Sequence, residues 1–264
     1  MALYETKQSS LTDVLCKARD CQLKHSDHPL PKTGYTQHLI VAPKGSGKSS
    51  VILNLLHNKE GYRGEFDKIY LCSTTAERDP KFDKLVNELS EDGTFYNTLD
   101  DGIVQGIMND IHNELDEHEK RKKKRKEISG LHDVKRVSTF KKEPPPKFCI
   151  IFDDCIHLLP KSGTKSVINE LYTRNRHLKT NIITASQKMK LLNPTIRNNT
   201  DLLSVWRVND KLEKKAILES WDIPEDIYNY ATSEPHEFLH VSYFNGKPLY
   251  FKKFDRIIPS KLIF

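Results

Sequence analysis

The octet Ala42-Pro43-Lys44-Gly45-Ser46-Gly47-Lys48-Ser49 has the residue types and spacing of a phosphate cradle, with Ala42 where such loops usually carry their first glycine. Gly45 and Gly47 let the backbone curl so that successive N–H groups turn inward on phosphate oxygens. Lys48 would reach the β- and γ-phosphates of ATP, and the Ser49 hydroxyl would ligate Mg2+, so the run from Ala42 through Ser50 is the candidate nucleotide-binding segment. A helix starting at Ser49 would aim its positive end at the same anion. About a hundred residues on, Asp153 and Asp154 close an apolar strand. Asp153 would hold the Mg2+ through water, and Asp154 would polarise the water that attacks the γ-phosphate. Paired carboxylates after a strand are also found in ordinary strand-end turns, so their weight comes from the phosphate loop. Gln187, at the tip of a later strand, can contact the γ-phosphate or its water and report hydrolysis.

These groups must be positioned by alternating strands and helices. Residues 38–42 read as a strand, and 49–58 as a helix with Val51, Ile52, Leu55 and Leu56 on one face. A second strand spans 68–73, followed by a short helix through Phe82, Leu85, Val86 and Leu89. From Asp101 a long helix carries Ile103, Ile107, Ile111 and Leu115 at fourfold spacing and then dissolves into the basic run 120–126, with 127–146 reading as a loop. Strands follow at 148–152, 181–185 and 203–208, and helices at 166–178, 211–221 and 224–231. A hairpin, 237–244 with 248–254, turns at Asn245-Gly246. This order predicts an α/β domain with a mainly parallel central sheet, helices on both faces and a C-terminal antiparallel hairpin. The expected organisation is a leader at 1–34, an ATPase domain at 35–256 with a basic insertion at about 116–146, and a tail at 257–264.

At 264 residues and 37 % hydrophobic content the chain can bury a core, and 30 % charged residues fit a globular domain with a polar insertion. The longest apolar run is the five residues 148–152, far short of the roughly 20 that span a bilayer. No signal-peptide pattern opens the chain, and five scattered cysteines read as reduced thiols, so the expected location is intracellular and not secreted. Cys16, Cys21, His25 and His28 are too closely spaced for a zinc finger and read as coincidence.

The formal charge of +6 belongs to one segment: residues 115–142 carry 11 basic and 5 acidic side chains, and the remainder is neutral. The run 120–126 could contact DNA phosphates without sequence preference, act as a nuclear-import patch, or be a solvated helix end. No Asn/Thr-Lys-x-Asp guanine reader occurs, which disfavours a GTPase. A strand inserted between the loop strand and the acid strand, with a second acid, points to the ATP-driven motors.

The ordered set of motifs resembles the poxvirus-type genome-packaging ATPases of the FtsK/HerA superfamily, found in large DNA viruses, virophages and Polinton-like elements. The set comprises the phosphate loop, Ile150-Ile151-Phe152-Asp153-Asp154, Arg174-Asn175-Arg176-His177, the strand ending in Ser186-Gln187, Asn193-Pro194-Thr195-Ile196-Arg197-Asn198-Asn199 and the closing Tyr250-Phe251-Lys252-Lys253-Phe254-Asp255. The resemblance implies a RecA-like P-loop core of the ASCE kind, ATP and Mg2+, a homo-oligomeric ring, double-stranded DNA, and capsid or portal-vertex proteins as partners. It also implies residence in the host cytoplasm or nucleus, at a virus factory, or association with the virion. Asp154 departs from superfamily members that often carry Glu there. A ring motor needs an arginine from a neighbouring subunit at the γ-phosphate. Arg174 and Arg176 are the candidates by position, with Arg197 behind them, and Arg176 is preferred because it precedes His177 as in the family pattern. Rival readings are a helicase or replication motor on the same core, an ATP-gated DNA-binding switch, and a small-molecule kinase.

Overall fold

The computed structural model describes residues 27–32, 34–131, 144–159, 166–243 and 247–258, with the backbone alone for 126–131. The elements in chain order are β1 (Gln37–Val41), α1 (Lys48–His57), β2 (Lys68–Ser73), α2 (Asp83–Glu91), β3 (Phe95–Tyr96), α3 (Asp101–Leu131), β4 (Phe148–Asp153), α4 (Val167–Arg174), β5 (Thr180–Ser186) and α5 (Pro194–Asn198). They continue with β6 (Leu202–Trp206), α6 (Lys211–Ser220), α7 (Glu225–Ala231), β7 (Phe238–Ser242), β8 (Leu249–Lys252) and β9 (Asp255–Arg256). The strands form one nine-stranded sheet in the order β3-β2-β4-β5-β1-β6-β7-β8-β9. Pairings from β3 to β6 are parallel, and β7, β8 and β9 add antiparallel.

β4 shows why the sheet is covered twice. Phe148, Ile150 and Phe152 point to one face and Cys149 and Ile151 to the other, and all five are fully buried. The first face packs against apolar residues of α3, α4, α6 and α7, and the second against those of α1 and α2. Burying both faces is the usual condition of a parallel sheet. The strand standing between the phosphate loop's strand and the acids' strand is β5, as the sequence predicts.

The segment 27–32 is tied to the domain through a buried polar chain. His240 Nε2 donates to Pro29 O (2.9 Å), so its Nδ1 accepts from Ser204 Oγ (2.9 Å), which in turn accepts from His38 Nε2 (2.9 Å). His38 Nδ1 is left bare and without a partner. Burial holds both imidazoles neutral: it lowers His38 well below its usual range, helped by His240, and brings His240 down to about 4.

Two expected boundaries are corrected. α3 does not dissolve at the basic run but continues to Leu131, so 127–131 is helix and not loop. Lys, Arg and Glu are strong helix formers, and Lys122 pairs with Glu119 one turn back (3.2 Å), so the helix persists after its apolar stripe has ended. α4 stops at Arg174 instead of 178 because the Asn175 side chain takes over backbone duties. Its amide donates to Tyr35 O and Thr180 O, and its Oδ1 accepts from Gln37 Nε2. The Asn245-Gly246 turn and most of the leader, including Cys16, Cys21 and His25, lie outside the described residues.

Candidate nucleotide-binding site

β1 ends at Val41, and the loop from Ala42 to Gly47 leaves the carboxyl edge of the sheet to enter α1. Gly45 and Gly47 take left-handed backbone angles (φ 79° and 97°), which a side chain would strain, so the curl requires glycine at both positions. Ala42 N donates to Ser186 O (3.0 Å) and Ser46 Oγ donates to Pro43 O (2.7 Å), which fix the loop to β5 and to itself. His236, just before β7, is hydrogen-bonded through Nδ1 to Ser46 O (3.2 Å), strapping the far end of the domain to the same loop.

Lys48 is the first residue of α1 and only 8 % exposed. Its ammonium forms ion pairs with both Asp153, at 3.5 Å from Oδ1, and Asp154. Asp153 is 1 % exposed; burial pushes its carboxyl above the usual range, against the pull of Lys48, and Asp154 adds to the rise. Its Oδ2 accepts from Ser73 Oγ (3.1 Å), while Oδ1 has no hydrogen-bond partner. Asp154 sits in a left-handed conformation (φ 51°), a region Asp enters more readily than most residues, and its N–H donates to Ala185 O (3.0 Å). That turn swings the second carboxylate out toward Lys48, where Gln187 Nε2 also donates to it (3.1 Å). Lys48, Asp153, Asp154 and Gln187 therefore meet at one place.

Ser49 follows Lys48 in the first turn of α1, and Ser50 Oγ accepts from Lys81 Nζ (3.3 Å). A Mg2+ ion fits this donor set: a buried carboxylate oxygen that accepts no hydrogen bond and the Ser49 hydroxyl on the cavity wall are hard oxygen ligands. Among the described residues no group of three or more His, Cys, Asp or Glu side chains forms a metal site, so any remaining ligands would come from phosphate and water.

Arg174 and Arg176 are not part of this cluster. Both lie at the amino edge of the sheet, where Arg174 pairs with Glu170 and Arg176 with Asp201 (3.5 Å). Strands of five to seven residues separate the two edges by roughly 20 Å, so neither arginine reaches this chain's own loop. Arg197 lies in the short α5, its Nε buried without a partner.

Other residues join the site without a signal in the motifs. Ser73 follows from register, since it pairs directly with Asp153 across β2 and β4. Glu213, buried on α6, accepts from the N–H groups of Met189 and Lys190 and so fixes the turn behind Gln187. Lys81 and His236 have no local signal in the sequence.

The loop, Asp154 and Gln187 line a cavity of about 920 Å3, within the roughly 300–1,000 Å3 usual for ligand sites. The genome packaging NTPase B204 of Sulfolobus turreted icosahedral virus 2 has a similar structure. Its complex with AMP matches at TM-score 0.57 and 16 % identity over 85 % of this chain and 98 % of that one. The sulfate complex matches at 0.56 and 15 % over 86 % and 100 %, and the ATP-gammaS complex at 0.53 and 15 % over 82 % and 96 %. The fold is that of the P-loop NTPases. In this chain the glycine-bearing loop 42–47 follows the strand that β5 separates from the acids. No family model matches the chain, and no curated protein is significantly similar to it in sequence. No described helix is long and apolar enough to cross a membrane.

Proposed function

We propose that this protein is an ATP-hydrolysing motor that translocates double-stranded DNA and packages a viral or virus-like genome into a preformed capsid. The observation that carries this is the convergence of Lys48, Asp154 and Gln187 on one cavity at the carboxyl edge of the sheet, with Asp153 ion-paired to Lys48 directly behind them. The likeness in fold to a genome packaging NTPase and the resemblance of the motif set add to it.

In this reading the P-loop N–H groups and Lys48 bind the phosphates. Ser49 and, through water, Asp153 would hold Mg2+, which would supply neutralisation of the phosphate charge. Lys48 leaves the acids when phosphate enters, because phosphate offers it a fuller negative charge. Asp154 is then free to accept a proton from the attacking water, and Gln187, already on its carboxylate, senses the outcome. An arginine from the amino edge of a neighbouring subunit, Arg176 first and Arg174 second, completes the charge at the γ-phosphate in a homo-oligomeric ring. The projecting basic end of α3 meets DNA phosphates. Capsid or portal-vertex proteins are the partners, and the host cytoplasm or nucleus is the place of action.

The test is the ATPase rate with and without duplex DNA, with the oligomeric state recorded alongside. DNA-stimulated hydrolysis by an oligomer is the expected result. Slow hydrolysis indifferent to DNA would overturn the motor in favour of an ATP-gated switch.

A further inference from the structure

The cavity extends beyond the phosphate-binding end. Past Lys48 and Ser50 its wall changes character, passing to Val51 on α1 and then to Trp206, Phe238, Lys253 and Phe254. Trp206 and Phe238 stack on each other with ring centroids 4.2 Å apart. Phe254 is half-buried and meets Phe238 and His240 edge-to-face, at 5.4 and 5.1 Å, so no described aromatic ring lies flat against it. Phe254 is carried there by the turn between β8 and β9, where Lys253 adopts a left-handed conformation (φ 57°). The indole N–H of Trp206 is buried and has no acceptor, an expensive state for a donor in a cavity wall.

We infer that this aromatic end is the base-binding half of the nucleotide site, and that the closing motif 250–255 exists to place Phe254 against the face of the nucleobase. The inference rests on the nucleotide-binding reading above and adds the part of the ligand that the P-loop does not touch. A half-buried ring without a stacked neighbour, continuous with a phosphate cradle, matches a flat heterocycle joined to a phosphate chain. Phe238 and Trp206 are the backing that keeps Phe254 from turning away, and Lys253 stands at the mouth beside the base. The antiparallel strands at the end of the chain thereby acquire a role: they complete the ligand site from the side opposite the acids.

Equilibrium binding of ATP and of inorganic tripolyphosphate, which keeps the charge and lacks the base, separates the two halves. The full-length protein is expected to bind ATP more tightly than tripolyphosphate. Phe254→Leu keeps apolar bulk but removes the π-face, and should weaken ATP roughly 10-fold while moving tripolyphosphate less than about twofold. Phe254→Tyr should restore ATP affinity. Equal losses for both ligands in Phe254→Leu, or no loss for either, would overturn the base contact. If the wild-type protein binds both ligands equally, the aromatic wall fails and the P-loop reading stands. Failure to bind either would overturn the P-loop reading and this inference with it.

Discussion

The two edges of the central sheet hold their charged groups in different conditions. At the carboxyl edge, Lys48 and Asp153 are nearly inaccessible, Asp153 Oδ1 lacks a hydrogen bond, and the backbone at Gly45, Gly47 and Asp154 is left-handed. At the amino edge, Arg174 and Arg176 are about half-exposed and each has its own carboxylate, as Lys68 has Asp110 and Glu114 (2.7 and 2.9 Å). Buried charges whose hydrogen bonding is incomplete cost stability unless something else compensates. Exposed, individually paired charges cost little and gain little. The carboxyl edge thus carries an unbalanced cost that a bound phosphate would relieve under the proposed function, while the arginines of the amino edge are already paired.

This contrast can be broken by substitution. The largest effect is expected from Lys48→Ala, which removes the cation shared by both acids and should leave no measurable ATP turnover; retained DNA-stimulated hydrolysis would dissolve the distinction between the edges. Next is Arg176→Ala, expected to cost about 10³-fold in turnover if it serves a neighbour's site. Mixing it with Lys48→Ala protein should recover activity, because the Lys48→Ala subunit still offers Arg176 to an intact loop. No recovery on mixing would confine Arg176 to its bond with Asp201.

Asp154→Asn should keep ATP affinity and lose about 10²-fold in hydrolysis. Undiminished turnover in that variant would remove Asp154 from the role of base. At the other edge, neutralising Lys120, Arg121, Lys122 and Lys124 should flatten the plot of log DNA affinity against log salt by about 0.9 for each DNA phosphate that no longer meets a cation. An unchanged slope would mean that this helix end faces only solvent.

The last effect, on stability and not on turnover, concerns the buried pair His38 and His240. Their folded pKa values lie below the unfolded one, so the unfolded chain binds more protons as the medium is acidified. Stability should be complete above pH 6.5 and fall toward pH 4, by at most about 1.4 kcal/mol per pH unit for each histidine. Replacing His240 with Gln should reduce that acid sensitivity in denaturant titrations at pH 4.5 and 7.

Much of the carboxyl edge is legible in the sequence because its information is local. The glycine-bearing loop after β1, the acids after β4 and Gln187 after β5 each sit where a short apolar run ends, so a strand pattern and a residue type suffice to locate them. Ser73, His236 and Phe254 are not legible as site residues, since their partners lie far along the chain and only strand order brings them close. β3 has two residues, too few for any periodicity to register. The end of α3 escapes for a different reason: 120–131 has helix propensity without an apolar stripe, and a search for stripes passes over it. Over its 31 residues the helix is about 46 Å long, and Lys68 at the start of β2 meets it at Asp110 and Glu114. His118, one turn further on, is still buried, so roughly 20 Å of helix run beyond it.

β5 is hydrogen-bonded to β1 on one side and to β4 on the other, which sets the loop strand and the acid strand two lattice steps apart, about 9.5 Å. A gap of that width is too broad for Asp153 to close on the loop's amides and narrow enough for one lysine side chain to bridge. The pitch of the sheet itself therefore acts as the gauge for whatever enters, so changes in the surrounding loops can alter the grip but not the calibre.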